Sequence, residues 1–172
     1  FDAGLVGGEL FLAMDFVEGR DLRAVWNRCA KKQVAFPIDV AVYIIKELCR
    51  GLAYAHTYPE LQLVHRDISP PNVLVSYTGE VKLTDFGLSK IGLMHTATLL
   101  AETDTSDFRD GQVMGTPDYI APEVFLGRGY GKPVDWWSMG IIMYEFIMGE
   151  PPFIGETPED VCHRVVNCEP EV

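Results

Sequence analysis

The sequence predicts an α+β fold, a mainly helical body carrying one short β-hairpin, with a further apolar strand near its start. Three observations carry this. Val73–Ser76 and Val81–Thr84 are short and rich in β-branched residues, and the turn Tyr77-Thr78-Gly79-Glu80 between them offers Gly for positive φ. Upstream, Ala41, Ile45, Leu48, Leu52 and Ala55 recur at the spacing of one buried helical stripe. Downstream, 134–148 (VDWWSMGIIMYEFIM) is apolar on nearly all faces. It is shorter than the roughly 20 residues that span a bilayer, so it reads as a buried helix. With 172 residues and 48% hydrophobic content, the chain can form one domain with a real core.

In chain order, Gly7-Gly8 marks a turn and residues 9–16 (ELFLAMDF) form an apolar run fit for a buried strand. If half of its sheet is missing, the surface around Phe11 and Met14 should be exposed. Glu18-Gly19-Arg20-Asp21 breaks the run. Asp21 can cap a short helix with Leu22, Val25, Trp26 and Cys29 on one face. Pro37 opens the longer helix, and His56 near its end reads as a packing or capping residue rather than a ligand. Residues 89–113 are polar and hold Thr96, Thr98, Thr103, Thr105 and Ser106. A long segment of this kind inside a compact domain is usually functional or disordered. Thr157-Pro158-Glu159-Asp160 is a helix start, with a capping Thr, Pro in the first turn and acids at the positive end of the dipole. The chain opens on Phe1-Asp2-Ala3-Gly4 and closes on Glu169-Pro170-Glu171-Val172, and both ends read as cut.

The net charge of −11 argues against a nucleic-acid partner or an anionic membrane surface, and it is compatible with basic peptide substrates. No signal peptide or membrane-inserting segment is visible. Cys29, Cys49, Cys162 and Cys168 show no C-x-x-C spacing and read as reduced, mostly buried thiols of a cytoplasmic protein.

The chemistry centres on residues 63–87. Antiparallel pairing of the two strands brings Asn72, at the start of the first, beside Asp85, at the end of the second. An amide oxygen and a carboxylate at such a point suit Mg²⁺, which keeps several waters and binds substrate phosphates. Asp67, on the loop feeding the hairpin, could serve as a base or orienter for a hydroxyl nucleophile.

HRDISPPN (65–72), DFG (85–87) and GTPDYIAPE (115–123) together resemble the catalytic, metal-binding and peptide-positioning segments of protein kinases. The resemblance covers residues 9–167. The N-terminal half, with HRDISPPN, is similar to bacterial Ser/Thr kinases. The C-terminal half resembles AGC-type kinases, in particular the microtubule-associated Ser/Thr kinase (MAST) family. The resemblance implies a kinase-like fold in which residues 1–18 are the end of the small lobe and the hinge. Residues 19–172 are then a large lobe truncated at its C-terminus. It implies ATP and Mg²⁺ as cofactors and protein Ser/Thr hydroxyls as substrate. Met14 would gate the rear of the adenine pocket, Asp15, Phe16 and Val17 would form the hinge, and Leu74 would lie under the adenine. Asp21 joins them in the expected nucleotide site. Asn72 and Asp85 would hold the metal, Asp67 would be catalytic, and Thr116 would point at Asp67. His65 and Phe86 would stack in an internal column, and Asp135 would hold the backbone of the His65-Arg66 turn. Residues between DFG and APE would form the activation segment.

Three departures stand out. No glycine-rich phosphate loop, V-A-I-K lysine or partner glutamate precedes Phe1, and those parts clamp nucleotide phosphates. Ser69 stands where Ser/Thr kinases usually carry a lysine that neutralises the transferring phosphate. Gln112 stands where many carry a phosphorylated Thr, so Asp107 or Asp110 would pair with Arg66, or Thr103, Thr105 or Ser106 would take the phosphate. The first reading is therefore an ATP-dependent protein Ser/Thr kinase, with these residues alone expected to be inactive. The alternative is a pseudokinase or scaffold, favoured by Ser69 and the missing lysine and opposed by intact Asp67, Asn72 and Asp85. A small-molecule phosphotransferase is disfavoured by GTPDYIAPE.

Overall fold

The computed structural model describes residues 2–7, 9–58, 63–86, 117–128 and 131–170. Strands β1 (Asp2–Val6) and β2 (Glu9–Ala13) form an antiparallel hairpin, with Val6 opposite Glu9 and Ala3 opposite Leu12. Strand β2 stops at Ala13, before the end of the apolar run. It is not buried among the described residues: Phe11 and Met14 are exposed, and Phe16 is 90% exposed. A two-stranded ribbon has no second layer to cover it, so the run's hydrophobicity alone does not bury it.

A second sheet has the order β3-β4-β5, antiparallel throughout, from β3 (Gly19–Asp21), β4 (Val73–Ser76) and β5 (Val81–Leu83). Helix α1 (Leu22–Lys31) follows β3 directly. Its cap is the one the sequence implies, with Asp21 Oδ1 accepting the Ala24 N–H at 2.8 Å. Leu22 is fully buried, and Trp26 packs against Phe36 and Phe146.

Helix α2 (Ile38–Thr57) begins after Pro37. Its buried stripe runs through Ala41, Ile44, Leu48, Leu52 and Ala55. Ile44 therefore takes the core position that the spacing assigned to Ile45, which is half-buried at the stripe's edge. The stripe faces β5 and helix α4 (Pro133–Met148). Between them lie Ile68, Val73 and Ile142, each at most 1% exposed and each stabilising the fold by about 1.5–3 kcal/mol. Short helix α3 (Pro122–Phe125) precedes α4, and α5 (Pro158–Asn167) follows it.

Helix α4 buries Val134, Asp135, Ser138, Met139, Ile141, Ile142, Glu145 and Phe146. The expectation of a helix buried on nearly all faces does not hold among the described residues. Trp136, Gly140, Met143 and Ile147, at helical spacing, form an exposed stripe, with His56 of α2 edge-on to Trp136 at 5.5 Å. Gly149, at φ 89°, ends the helix by donating its N–H to Glu145 O. Helix α5 starts with the predicted cap: Thr157 and Asp160 form a reciprocal capping box. The thiols are less buried than expected: Cys29, Cys49 and Cys162 are half-buried and Cys168 is exposed.

Candidate active site

The β4–β5 register sets Val73 opposite Leu83, and the Thr84 N–H donates to Asn72 O at 3.0 Å, extending the ladder by one pair. Asn72 and Asp85 therefore meet at the open end of the hairpin. At the closed end, Gly79 adopts φ 91°. The Asn72 side-chain amide donates to Asp67 O at 2.8 Å and to Asp67 Oδ2 at 3.0 Å. With both donors used there, its oxygen is left for another partner. The turn Pro70–Asn72 that brings Asn72 round is one of 3₁₀ type, and Ser69 before it is buried, its carbonyl accepting the Asn72 N–H at 2.9 Å.

His65 is fully buried, with Phe86 edge-on at 4.5 Å between ring centroids. Its Nε2 lies 2.9 Å from Thr84 O. A carbonyl only accepts, so Nε2 carries the proton, and Nδ1 is left to accept the Asp67 N–H at 3.3 Å. Burial holds the imidazole below its ordinary pKa, against the opposing pull of the Thr84 carbonyl and the carboxylates of Asp135, Asp67 and Asp85. A neutral ring is the form both contacts require.

Asp135, at the start of α4, is fully buried and joins three groups. Its Oδ2 accepts the His65 N–H at 2.8 Å and faces His56 Nε2 at 2.7 Å, and its Oδ1 accepts the Arg66 N–H at 2.8 Å. The expected clamp on the His65-Arg66 turn is present, and His56 is its second support. Arg66 and Asp85 both adopt left-handed backbone, at φ 69° and 66°. Each such non-Gly residue costs about 1–3 kcal/mol, which persists only where surrounding contacts fix it. Asp135 supplies that constraint at Arg66, and the Asn72–Thr84 bond does so one residue before Asp85.

Leu74 pairs with Asp21 across β3–β4, so two of the expected nucleotide contacts are neighbours. Met14, Asp15, Phe16 and Val17 lie on the segment between β2 and β3. Thr116 and the whole of 89–113, with Gln112, Asp107 and Asp110, lie outside the described residues.

The donor set at the hairpin end is all oxygen: the Asn72 amide and the Asp85 carboxylate, with Asp67 alongside. Among the described residues no group of three or more His, Cys, Asp or Glu gathers to cage an ion. A set of few protein oxygens fits Mg²⁺, which demands little from the protein and completes its shell with water and phosphate.

A sequence profile of the protein kinase domain matches residues 6–170. The chain belongs to the protein kinase domain family. The kinase domain is 38% identical, over 92% of its own length, to the probable serine/threonine protein kinase IRE4 of Arabidopsis thaliana. It is 36% identical to the serine/threonine-protein kinase gad8 of Schizosaccharomyces pombe over 92% of its length, and 35% identical to the cAMP-dependent protein kinase type 3 of Saccharomyces cerevisiae over 94%. It spans 16%, 25% and 35% of these relatives. They support the eukaryotic-type Ser/Thr kinase resemblance, AGC-type kinases included. No helix among the described residues is long and apolar enough to cross a membrane.

One cluster of the kinase domain escaped the sequence reading. Arg23 of α1 donates to Glu145 Oε1 of α4 at 2.8 Å and to the Tyr119 hydroxyl at 2.6 Å. The Tyr119 hydroxyl in turn donates to Glu145 Oε2. Burial, then the Glu145 carboxylate, push the phenol's pKa well up. Ser138 Oγ holds the Tyr119 carbonyl at 2.7 Å. The DYIAPE stretch is thereby tied to both helices. A lone glutamate in the apolar run 134–148 was the available signal, because a carboxylate is almost never fully buried unless paired.

Proposed function

We propose that the natural polypeptide carrying this domain is an ATP-dependent protein Ser/Thr kinase. The observation that carries the reading is the bond from the Asn72 amide to Asp67 beside Asp85 at one hairpin end. Asn72 and Asp85 would hold Mg²⁺, which with ATP, when bound, supplies the phosphoryl group and neutralises its charge. Asp67, its carboxylate aimed by Asn72, accepts the hydrogen bond of a substrate hydroxyl. It aligns that oxygen with the phosphorus and takes the proton late, as the new O–P bond forms and the bond to the leaving nucleotide breaks. Most of the acceleration then comes from positioning and charge stabilisation.

On this reading residues 1–18 are the end of a small lobe with the hinge, and 19–172 are most of a large lobe. Met14 to Val17 would line the adenine site with Leu74 beneath it, Asp21 would bound the same pocket, and Thr116 would approach Asp67. Ser69 is buried and uncharged, so the phosphate's neutralising cation would come from elsewhere. The partner is a protein bearing Ser or Thr, and the charge of −11 disfavours nucleic acid. Four free thiols fit a reducing, cytoplasmic compartment.

The test is transfer of labelled γ-phosphate by the full natural polypeptide to Ser, Thr and Tyr versions of one basic peptide. Metal-dependent labelling of Ser and Thr peptides, absent in Asp67→Asn, is expected. Labelling unaffected by that substitution would overturn the assignment.

A further inference from the structure

At the closed end of the hairpin, opposite Asn72 and Asp85, a groove of about 940 Å³ runs between the outer face of α1 and the end of β4. Arg20, Arg28, Lys31 and Lys32 line it, with Val75 and Tyr77 on its floor and rim. All four cations are exposed, and none has an ion-pair partner among the described residues. In a chain of net charge −11 that holds only 14 Lys and Arg, four unpaired cations on one groove are a marked local reversal of sign. The helix dipole accounts for Arg28 and Lys31, which lie in the last turn of α1. It does not account for Arg20, which precedes the helix on β3, nor for the groove between them. No Asp or Glu is among the residues that line the groove, and Asp21, at the other end of α1, caps that helix.

We propose that this groove is a docking site for an acidic peptide segment of a partner protein. Its chemistry selects the occupant: cations for carboxylates, and an apolar strip with an exposed tyrosine for one or two aliphatic side chains between them. A long polyanion such as nucleic acid is a poorer match. It would extend beyond the patch, over about 8 Å of screening length, onto a surface whose net charge repels it. The site lies away from Asp67 and Asp85 and does not depend on the phosphotransfer reading. Occupancy has a built-in reporter, because the half-buried thiol of Cys29 lines the same groove.

The experiment uses the 172-residue chain and a fluorescein-labelled twelve-residue peptide of alternating Asp/Glu pairs and Leu. Anisotropy should show saturable binding that weakens about tenfold or more in Arg28→Glu/Lys31→Glu and less in Arg28→Gln/Lys31→Gln. The peptide should slow alkylation of Cys29, mapped by mass spectrometry, while Cys168 reacts at an unchanged rate. Far-ultraviolet circular dichroism of both variants confirms that the helices persist. Absence of binding overturns the proposal, as does equal binding by the charge-reversed chain. So does binding that leaves Cys29 unprotected. Tighter binding of a single-stranded oligothymidine than of the peptide would assign the groove to nucleic acid instead.

Discussion

The carboxylate of Asp135 accepts the backbone N–H of His65 across 70 residues of sequence, at 2.8 Å. Through this bond the first turn of α4 fixes the start of the loop that leads into the β4–β5 hairpin. The same carboxylate holds Arg66 N–H, so two consecutive amides depend on one fully buried acid.

Asp135→Asn replaces an acceptor by a donor facing at least one of those amides. The buried N–H left without a partner costs about 1–3 kcal/mol, and the left-handed backbone of Arg66 loses its restraint. We expect urea unfolding to shift by about 3 kcal/mol. In the full polypeptide, turnover should fall further than the lost folded fraction accounts for. A variant with wild-type unfolding and full activity would show that the clamp is dispensable.

Asp85→Asn and Asp67→Asn should separate binding from turnover. On the proposed function the first would remove the one charged metal ligand at the hairpin end, so the full polypeptide should lose both Mg²⁺-dependent nucleotide affinity and transfer. The second would keep the proposed metal ligands and remove the proposed base, so nucleotide affinity should stay within a few-fold while turnover drops about 10²–10⁴-fold. Equal loss of nucleotide affinity in the two variants, measured by calorimetry, would contradict this division of roles.

His65 makes stability depend on pH. Its native pKa is lowered by burial, while in the unfolded chain it titrates near its ordinary value of about 6.5. Below that value the unfolded state binds a proton that the native state refuses. Stability therefore falls as pH drops from about 7 toward 5, at up to about 1.4 kcal/mol per pH unit for this one group. His65→Gln, which has no titrating ring, should be less stable at pH 7.5 and flatter in its pH dependence over that window. Parallel curves for the two proteins would place the titration elsewhere.

The hairpin and its two oxygen donors were legible because turn chemistry and strand pairing are local. Residues 73–84 carry their own instructions. Helix phase was less so. Ile44 and Ile45 are adjacent and equally apolar, so either continues a 3–4 pattern, and only packing against α4 and β5 chose Ile44. In α4, apolar residues all round leave no phase at all, which is why Trp136, Met143 and Ile147 could not be told from Ile141 and Ile142. Clamps between distant residues need the fold: nothing near His56 in sequence points to Asp135, 79 positions on. The Asp135–His65 clamp was expected only through the kinase resemblance.

The Arg23–Glu145–Tyr119 cluster yields an asymmetric prediction. The Glu145 side chain is 4% exposed and that of Arg23 36%. Removing Glu145 leaves a guanidinium that water still reaches and that keeps its stack on Trp26, 5.3 Å from the ring centroid. Removing Arg23 leaves a buried carboxylate with the Tyr119 hydroxyl as its remaining donor. Breaking a buried pair costs about 3–5 kcal/mol when the stranded charge cannot reach solvent, and less when it can. Arg23→Leu should therefore destabilise by about 3 kcal/mol, and Glu145→Leu by visibly less. The double variant should cost less than the sum of the two, because neither charge is then stranded. Urea unfolding of the three variants at pH 7.5 decides it. If Glu145→Leu proved the costlier single change, the cluster would owe its strength to the Glu145–Tyr119 hydrogen bond rather than to the ion pair.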